Sequence, residues 1–439
     1  MGLFIALLLL VNLLIGCWYL ILACILATEF EDRDIEPHYY GYILGAYALS
    51  SILCSFWVSW FIKKLGRSAV LFSGILLMSI SVIITGLITY IENDDIMIMV
   101  AIIWRLSQGF FKNLVLVPSF SIIVITNPVK RVMYLGIMEC VLSLGTAIGP
   151  VVGSILYSIF GYFYMFCFIG LLFLVITPAM MLSKPLNIDD EEETDTLVHN
   201  VDPADEFEKK LTYYDILSDH TIQLISLALL VATVAFSYFE PVLSFRLFEF
   251  TDSVQVHSLI FSWMIGGYSA MALMVTLLIK QIKPINLVAS GMLLWGFWNF
   301  LVGPSVFLPD SIVLIALGLF LSGMTIVCCT VPQLPIMLEC LESKYPTQAH
   351  IASDYCSSIY NAVFSLGMFL GPVYGGHVTE LLGFRVWCDI MGVILIIYSI
   401  VFYILNLVWS RSEIKITRKT NDLSTSVCFS TDRRNIINL

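Results

Sequence analysis

The stretch "LGTAIGPVVGS" occupies residues 144–154, and "LGMFLGPVYGG" occupies residues 366–376. Gly145, Gly149, Pro150 and Gly153 of the first recur as Gly367, Gly371, Pro372 and Gly375 of the second, 222 positions on. In water such residues break helices, yet both stretches lie inside long apolar runs. In lipid, Gly-x3-Gly gives a helix a flat face that another helix can approach closely. Proline then frees one carbonyl and permits a bend. The same offset pairs Ser143 and Leu144 with Ser365 and Leu366, and Gly161 with Gly383. Two homologous halves, descended from one duplicated unit, explain the repetition. The motifs are expected to be paired bending and packing elements at the interface between the halves, part of a gate rather than substrate contacts.

The 439 residues are 59% hydrophobic and 13% charged, where soluble domains carry about 25% charged residues. Apolar runs longer than about 18 residues mark membrane spans. These runs must be helices, because lipid offers no partner to backbone polar groups and the alternation of a barrel is missing. The reading is an all-α membrane protein of 12 transmembrane helices in two six-helix pseudo-symmetric bundles. The first bundle takes residues 1–183 and the second 219–410. An acidic, solvated linker (184–218) joins them, and a polar tail (411–439) follows. The net charge of −11 is misleading, since ten acidic residues fall between Asp189 and Glu208. The apolar run at residues 2–28 is too long for a signal-peptide core and no basic residue precedes it. It is read as a retained first span lacking the usual cytosolic leader, as in a shortened N-terminus.

Basic residues set the orientation. Lys63, Lys64, Arg67, Lys130, Arg131, Lys280, Lys283 and Lys344 fall in loops on one side; Arg33, Arg246 and Arg385 fall on the other. Both termini are therefore expected in the cytosol, in a vesicular, endomembrane or plasma membrane. The eleven cysteines lie mostly inside apolar runs. No disulfide framework, metal site or cofactor is expected, and the sequence has no nucleotide-binding Gly-x4-Gly-Lys-Ser/Thr loop. No partner is expected beyond lipid, protons and a small molecule, with no nucleic acid, and the chain should be a monomer.

Twelve spans, a long central loop and repeated halves resemble the major facilitator superfamily. Within "SWFIKKLGRSAVLFSG" (59–74), Gly66 and Arg67 match that family's loop between spans two and three, usually Gly-x-x-x-Asp-Arg-x-Gly-Arg-Lys. Ser59, Lys63 and Ser68 depart from it. The Asp replaced by Lys63 normally helps latch the cytosolic gate, so the resemblance implies no charge pair there. "WRLSQGF" (104–110) resembles the Arg-x-x-Gln-Gly signature of proton-coupled antiporters. The motif at Gly145–Gly153 resembles their span-five signature. Within the antiporters, "FEPVLSF" (239–245) and "SLGMFLGPVYGG" (365–376) are most similar to the vesicular amine and polyamine transporters. Monoamine carriers of that group place an Asp in span one, where this chain has Asn12. The resemblance thus implies a polyamine-like or other organic cation.

Charges inside a membrane are costly, roughly 2.5–3.5 kcal/mol at the centre on insertion scales, so each needs a partner, water or a task. Arg105, Gln108 and Lys112 form one polar stripe expected to face a central cavity. The resemblance assigns Arg105 to proton coupling; a fixed structural ion pair is the alternative. Glu240 precedes Pro241, where a bent helix would set a carboxylate beside Tyr238 as a substrate or proton site. Glu139 either holds a proton or cation, pairs with Arg105, or is solvated at the interface. Asn361 either lines the cavity or bonds a neighbouring helix. Asp354 is expected to cap span eleven, and Asp389 to be solvated or paired with Arg385. The expected activity is proton-coupled exchange of a small organic cation by alternating access, not an enzyme reaction. Two rivals stand beside it: an organic anion carrier that clamps its cargo with Arg105 and Lys112, and a non-transporting receptor or scaffold on the same fold.

Overall fold

Two glycines fix the plan of the helices. In the computed structural model, Gly161 has φ 74° and Gly383 φ 81°, a positive-φ backbone that L side chains rarely adopt. These are the two positions that the repeat pairs. Each turns the chain back at the corresponding point of its half.

The structure describes residues 2–33, 35–126, 131–183, 213–305, 307–345 and 349–408. All regular structure among them is helical. The N-terminal half contains α1 (Gly2–Glu31), α2 (Pro37–Leu65), α3 (Arg67–Thr85), α4 (Asp94–Thr126) and α5 (Arg131–Ser183), the last folded into two arms at Gly161. A short α6 (Tyr213–Leu217) precedes the C-terminal half. That half holds α7 (His220–Ser237), α8 (Glu240–Phe248), α9 (Val254–Gln281), α10 (Pro284–Val302), α11 (Ile312–Thr330), α12 (Gln333–Lys344), α13 (Ala349–Leu382) and α14 (Phe384–Val408). Most of the linker read at 184–218 and the whole tail at 411–439 lie outside the described residues.

Eight described segments are long and apolar enough to cross a membrane, and the one spanning Cys140–Ser183 crosses twice because of Gly161. The remaining passes are α2, α9 and α13, each long but more polar. Together they make the twelve passes read from the sequence. The polar passes are those through which the halves meet. α2 packs on α13, and α9 on the first arm of α5.

The helices that carry the repeated motifs do pack across the halves, where the Pro372 carbonyl meets Gly41 of α2, but the motif glycines themselves face the first pass of their own half. A Cβ at Gly145 would stand 2.2 Å from the carbonyl oxygen of Leu13, and one at Gly149 would stand 2.4 Å from that of Cys17. In the second half, a Cβ at Gly371 would meet the Ser237 hydroxyl at 2.0 Å, and one at Gly375 the Tyr238 carbonyl at 1.9 Å. The glycines therefore clamp α5 onto α1 and α13 onto α7. Pro150 and Pro372 sit within their helices beside these contacts.

Alternating passes gather the basic loops at one end of the molecule and the acidic ones at the other, here called the basic and acidic faces. On the basic face Gly66 turns α2 into α3 at φ 84°, and Arg67 Nε donates to Ser121 Oγ of α4 at 2.9 Å. The side chains of Ser59 and Lys63 lie outside the described residues. On the acidic face Arg33 bonds the carbonyls of Thr89 and Ile91 and pairs with Asp94, tying two loops together. Helix α13 begins at Ala349, so Asp354 lies inside it and does not cap it. Its side chain also lies outside the described residues. Asp389 accepts from Ser305 at 3.1 Å, while Arg385 donates to the Pro304 and Ser305 carbonyls instead of pairing with it.

Candidate functional site

A cavity of about 340 Å³ lies between the halves. The first half contributes Tyr19, Tyr47 and Lys112; the second contributes Tyr268, Tyr360 and Phe364. Its walls run from mid-membrane toward the basic face, because α5 and α13 contribute residues from the arms that start there. The acidic face is shut above it. There a Cβ on Gly41 of α2 would stand 2.3 Å from the Pro372 carbonyl of α13. Gln255 at the start of α9 donates to Ser158 of α5 at 2.5 Å.

Glu240 is buried beside Tyr19, which lines this cavity. The sequence builds it there by interrupting a pass. The chain leaves the α7 helix through a turn at Tyr238–Phe239 and restarts at Glu240 with Pro241 in the first turn. Proline suits that position, because the first-turn N–H has no helical partner anyway. The Tyr19 hydroxyl of α1 donates to Glu240 at 3.3 Å (Oε1) and 3.1 Å (Oε2). One hydrogen-bonded pair thus spans the two halves.

Arg105 is buried behind Tyr47. Its guanidinium carbon lies 4.4 Å from the Tyr47 ring centre, and Lys112 Nζ lies 5.2 Å from the same ring. A desolvated cation on an aromatic face gains about 2 kcal/mol or more. Arg105 Nη1 donates to Gln108 at 3.1 Å, and Gln108 donates onward to Thr85 at 2.7 Å. Arg105 Nε and Nη2 make no hydrogen bond, and no ion pair joins Arg105 to a carboxylate among the described residues. The rings of Tyr19 and Tyr47 lie 5.5 Å apart. Glu240, Tyr19, Tyr47 and Arg105 therefore form one series running from one half into the other, buried except at the half-buried Tyr19.

The stripe of Arg105, Gln108 and Lys112 is divided: the first two are buried within the half, and Lys112 lines the cavity. Tyr238 is turned into the C-terminal half. Its hydroxyl donates to Asn299 at 2.7 Å, away from the Tyr19 side. Asn361 is exposed and outside the cavity wall. Glu139 belongs to α5, but its side chain lies outside the described residues. Asn12 is buried and bonds its own helix at the Leu8 carbonyl. Tyr19 and Tyr47 were missed by sequence reasoning. The available signal was a tyrosine in mid-span, whose hydroxyl needs a partner when buried.

Residues 6–352 match the profile described as the Major Facilitator Superfamily. The MFS-type transporter SLC18B1 of Mus musculus is 24% identical over 94% of this chain and 88% of its own length. The Homo sapiens protein of the same name is 25% identical over 93% and 86%. In fold, the chain is similar to the nucleoside transporter NupG (TM-score 0.72, 12% identity, 92% of this chain and 98% of that one). It is also similar to a POT family transporter solved with a thioalcohol-conjugated peptide (TM-score 0.68, 11% identity, 92% and 96%). The chain belongs to the major facilitator superfamily, and it is a multi-pass membrane transporter rather than an enzyme.

Proposed function

We propose that the protein exchanges protons for a small organic cation, amine or polyamine-like, by alternating access of its two halves. The observation that carries this reading is the Glu240–Tyr19 pair. It is a buried carboxylate at a helix break, bonded across the halves and free of an ion pair among the described residues. Such a carboxylate is costly to leave charged in an apolar setting. It therefore takes either a proton or a cation, which is the exclusive choice that exchange requires. The aromatic cavity wall suits an organic cation, whose charge gains from ring faces as it loses water. Arg105 supplies a fixed positive charge on the same series, so a proton on Glu240 changes the balance that a cargo cation meets. Closure of the acidic face with a cavity toward the basic face fits one end state of the cycle. With the basic face in the cytosol, cargo would load from the cytosol and leave into a vesicle lumen or the exterior.

One observation favours a second reading. Lys112 brings a positive charge to the cavity wall, which suits an anionic cargo. The deciding experiment is uptake by purified protein in proteoliposomes under an imposed pH gradient, comparing polyamines, monoamines and organic anions. The proposal expects a cation to accumulate as protons flow the opposite way, and expects Glu240→Gln to abolish this. Accumulation of an anion that survives Glu240→Gln and is lost in Arg105→Ala would replace it with the second reading.

A further inference from the structure

On the acidic face, residues 335 to 342 positions apart in sequence form a compact cluster. His38 stands in the first turn of α2, just after Pro37. His377 and Glu380 stand near the end of α13, three residues apart and so on one side of the helix. His38 Nδ1 lies 2.8 Å from Glu380 Oε1, and the His38 backbone N–H donates to the same oxygen at 2.9 Å. The His38 and His377 rings stack at 4.9 Å with 13° between their planes. Tyr42, one turn along α2, bonds His377 Nε2. A further carboxylate, Glu36, approaches His38 Nδ1 at 3.4 Å.

We propose that His38, His377 and Glu380 bind a divalent transition metal ion of the zinc type, and that this ion bolts the acidic face shut. One potential ligand atom from each residue lies within 4.8 Å of the others. A tetrahedral site with bonds of about 2.0–2.1 Å needs its ligand atoms roughly 3.3 Å apart. The shortfall is within reach of side-chain rotation, since Glu380 is exposed and His377 would release its hydrogen bond to Tyr42. Two imidazoles and a carboxylate form a donor set suited to zinc, with the fourth position left to water or Glu36. The helices themselves are held in place by backbone contact. A Cβ at Gly376 would stand 2.7 Å from the His38 Cα, so the ligands are presented on fixed supports.

The consequence follows from where the ligands sit. α2 belongs to the first half and α13 to the second, and they must part for the cavity to open on this face. This step rests on the alternating-access reading given above. An ion bound by both helices opposes that parting, so the metal acts as a brake from the vesicle lumen or exterior. Sequence reading expected no metal site because no histidine cluster is visible along the chain. Only the meeting of α2 and α13 assembles one.

The test uses the purified full chain in nanodiscs and has two independent readouts. First, Co²⁺ alone is titrated in and followed by visible absorption, and Zn²⁺ by calorimetry and thermal shift. Wild type should take one ion with a tetrahedral Co²⁺ spectrum and micromolar affinity. His38→Gln and His377→Gln, on separate helices, should each weaken it by about ten-fold or more. Each variant is checked for its melting temperature without metal, and Glu380→Gln serves as the milder third. Second, Zn²⁺ added to the acidic face should inhibit uptake by wild type but not by His377→Gln. If no cargo is found, the first readout still decides the site. Absence of binding overturns the proposal. So does equal binding in the two histidine variants, which would place the ion on cysteines such as the exposed Cys140. Binding with undiminished uptake would overturn the brake.

Discussion

Alanine substitution along the two glycine stripes separates what each stripe does. In Gly149→Ala the new Cβ would stand 2.4 Å from the Cys17 oxygen, 2.7 Å from its Cα and 2.9 Å from its carbonyl carbon. All three atoms are backbone of α1, so no rotamer change can relieve them. To reach an ordinary contact of about 3.4 Å, the helices must separate by roughly 1 Å, and overpacking of this kind costs about 1–3 kcal/mol. At about 2–4 °C per kcal/mol for a unit of 150–250 residues, the melting temperature should drop by roughly 2–12 °C. Gly371→Ala makes a closer contact, 2.0 Å, but with a side chain, the Ser237 hydroxyl. That hydroxyl also bonds the Thr233 and Gly367 carbonyls, which keeps it from turning aside. Removing it in Gly371→Ala/Ser237→Ala leaves contacts of 2.9 Å to the Val234 oxygen and 3.0 Å to the residue-237 Cβ. The double variant should therefore recover part of the loss, although Ser237→Ala alone costs about 1 kcal/mol for its hydrogen bonds. Gly266→Ala is the control, since nothing lies within 4 Å of its Cβ position; it should be neutral or slightly stabilising. The assay is thermal unfolding in detergent, followed by size-exclusion chromatography. The packing argument is refuted if Gly149→Ala melts with wild type, or if the double variant melts no higher than Gly371→Ala.

Three further outcomes are expected. Glu240→Gln should keep its melting temperature within a few degrees, because an amide oxygen still accepts from Tyr19. It should lose accumulation driven by a pH gradient in proteoliposomes. Lys112→Ala removes a like charge from the cavity wall, so cation uptake should show an unchanged or lower KM; collapse of cation uptake with a normal melting temperature would contradict the cation reading. Asp219 caps α7 through the N–H groups of Thr221 and Ile222 and pairs with Lys344. Partial burial raises its pKa, but the Lys344 ammonium and those N–H groups outweigh burial and hold it below the usual carboxylate range. A depressed folded pKa gives stability that is present above the unfolded value, about 3.9, and lost as pH falls through the folded one. Asp219→Ala should thus lower stability by about 1 kcal/mol at pH 7. Thermal melts taken downward from pH 7 should show the gap to wild type narrowing below about pH 4.

Much of the architecture was legible because lipid leaves few choices. Apolar runs in lipid must be helices, so composition alone announced the passes. The 222-residue repeat paired Gly161 with Gly383, and both prove to be positive-φ turns because only glycine adopts that conformation cheaply. Glu240 and Arg105 stood out because buried charge is rare and expensive, and both are buried. The sequence misled where a side chain's direction mattered. Tyr238 is next to Glu240 along the chain but faces Asn299. The helices bearing the glycine motifs do meet the other half, but the glycines face α1 and α7, since a flat helix face does not say which neighbour will use it. The sequence by itself thus determined the helical passes, the duplication and the costly charges, all of which depend on local chemistry and the solvent. Only the tertiary structure decided that Tyr19 of α1 meets Glu240 of α8, that Tyr47 carries Arg105 and Lys112, and that His38 meets His377. Those contacts join residues more than fifty to three hundred positions apart, and they are set by how rigid helices pack, which no short stretch of sequence encodes.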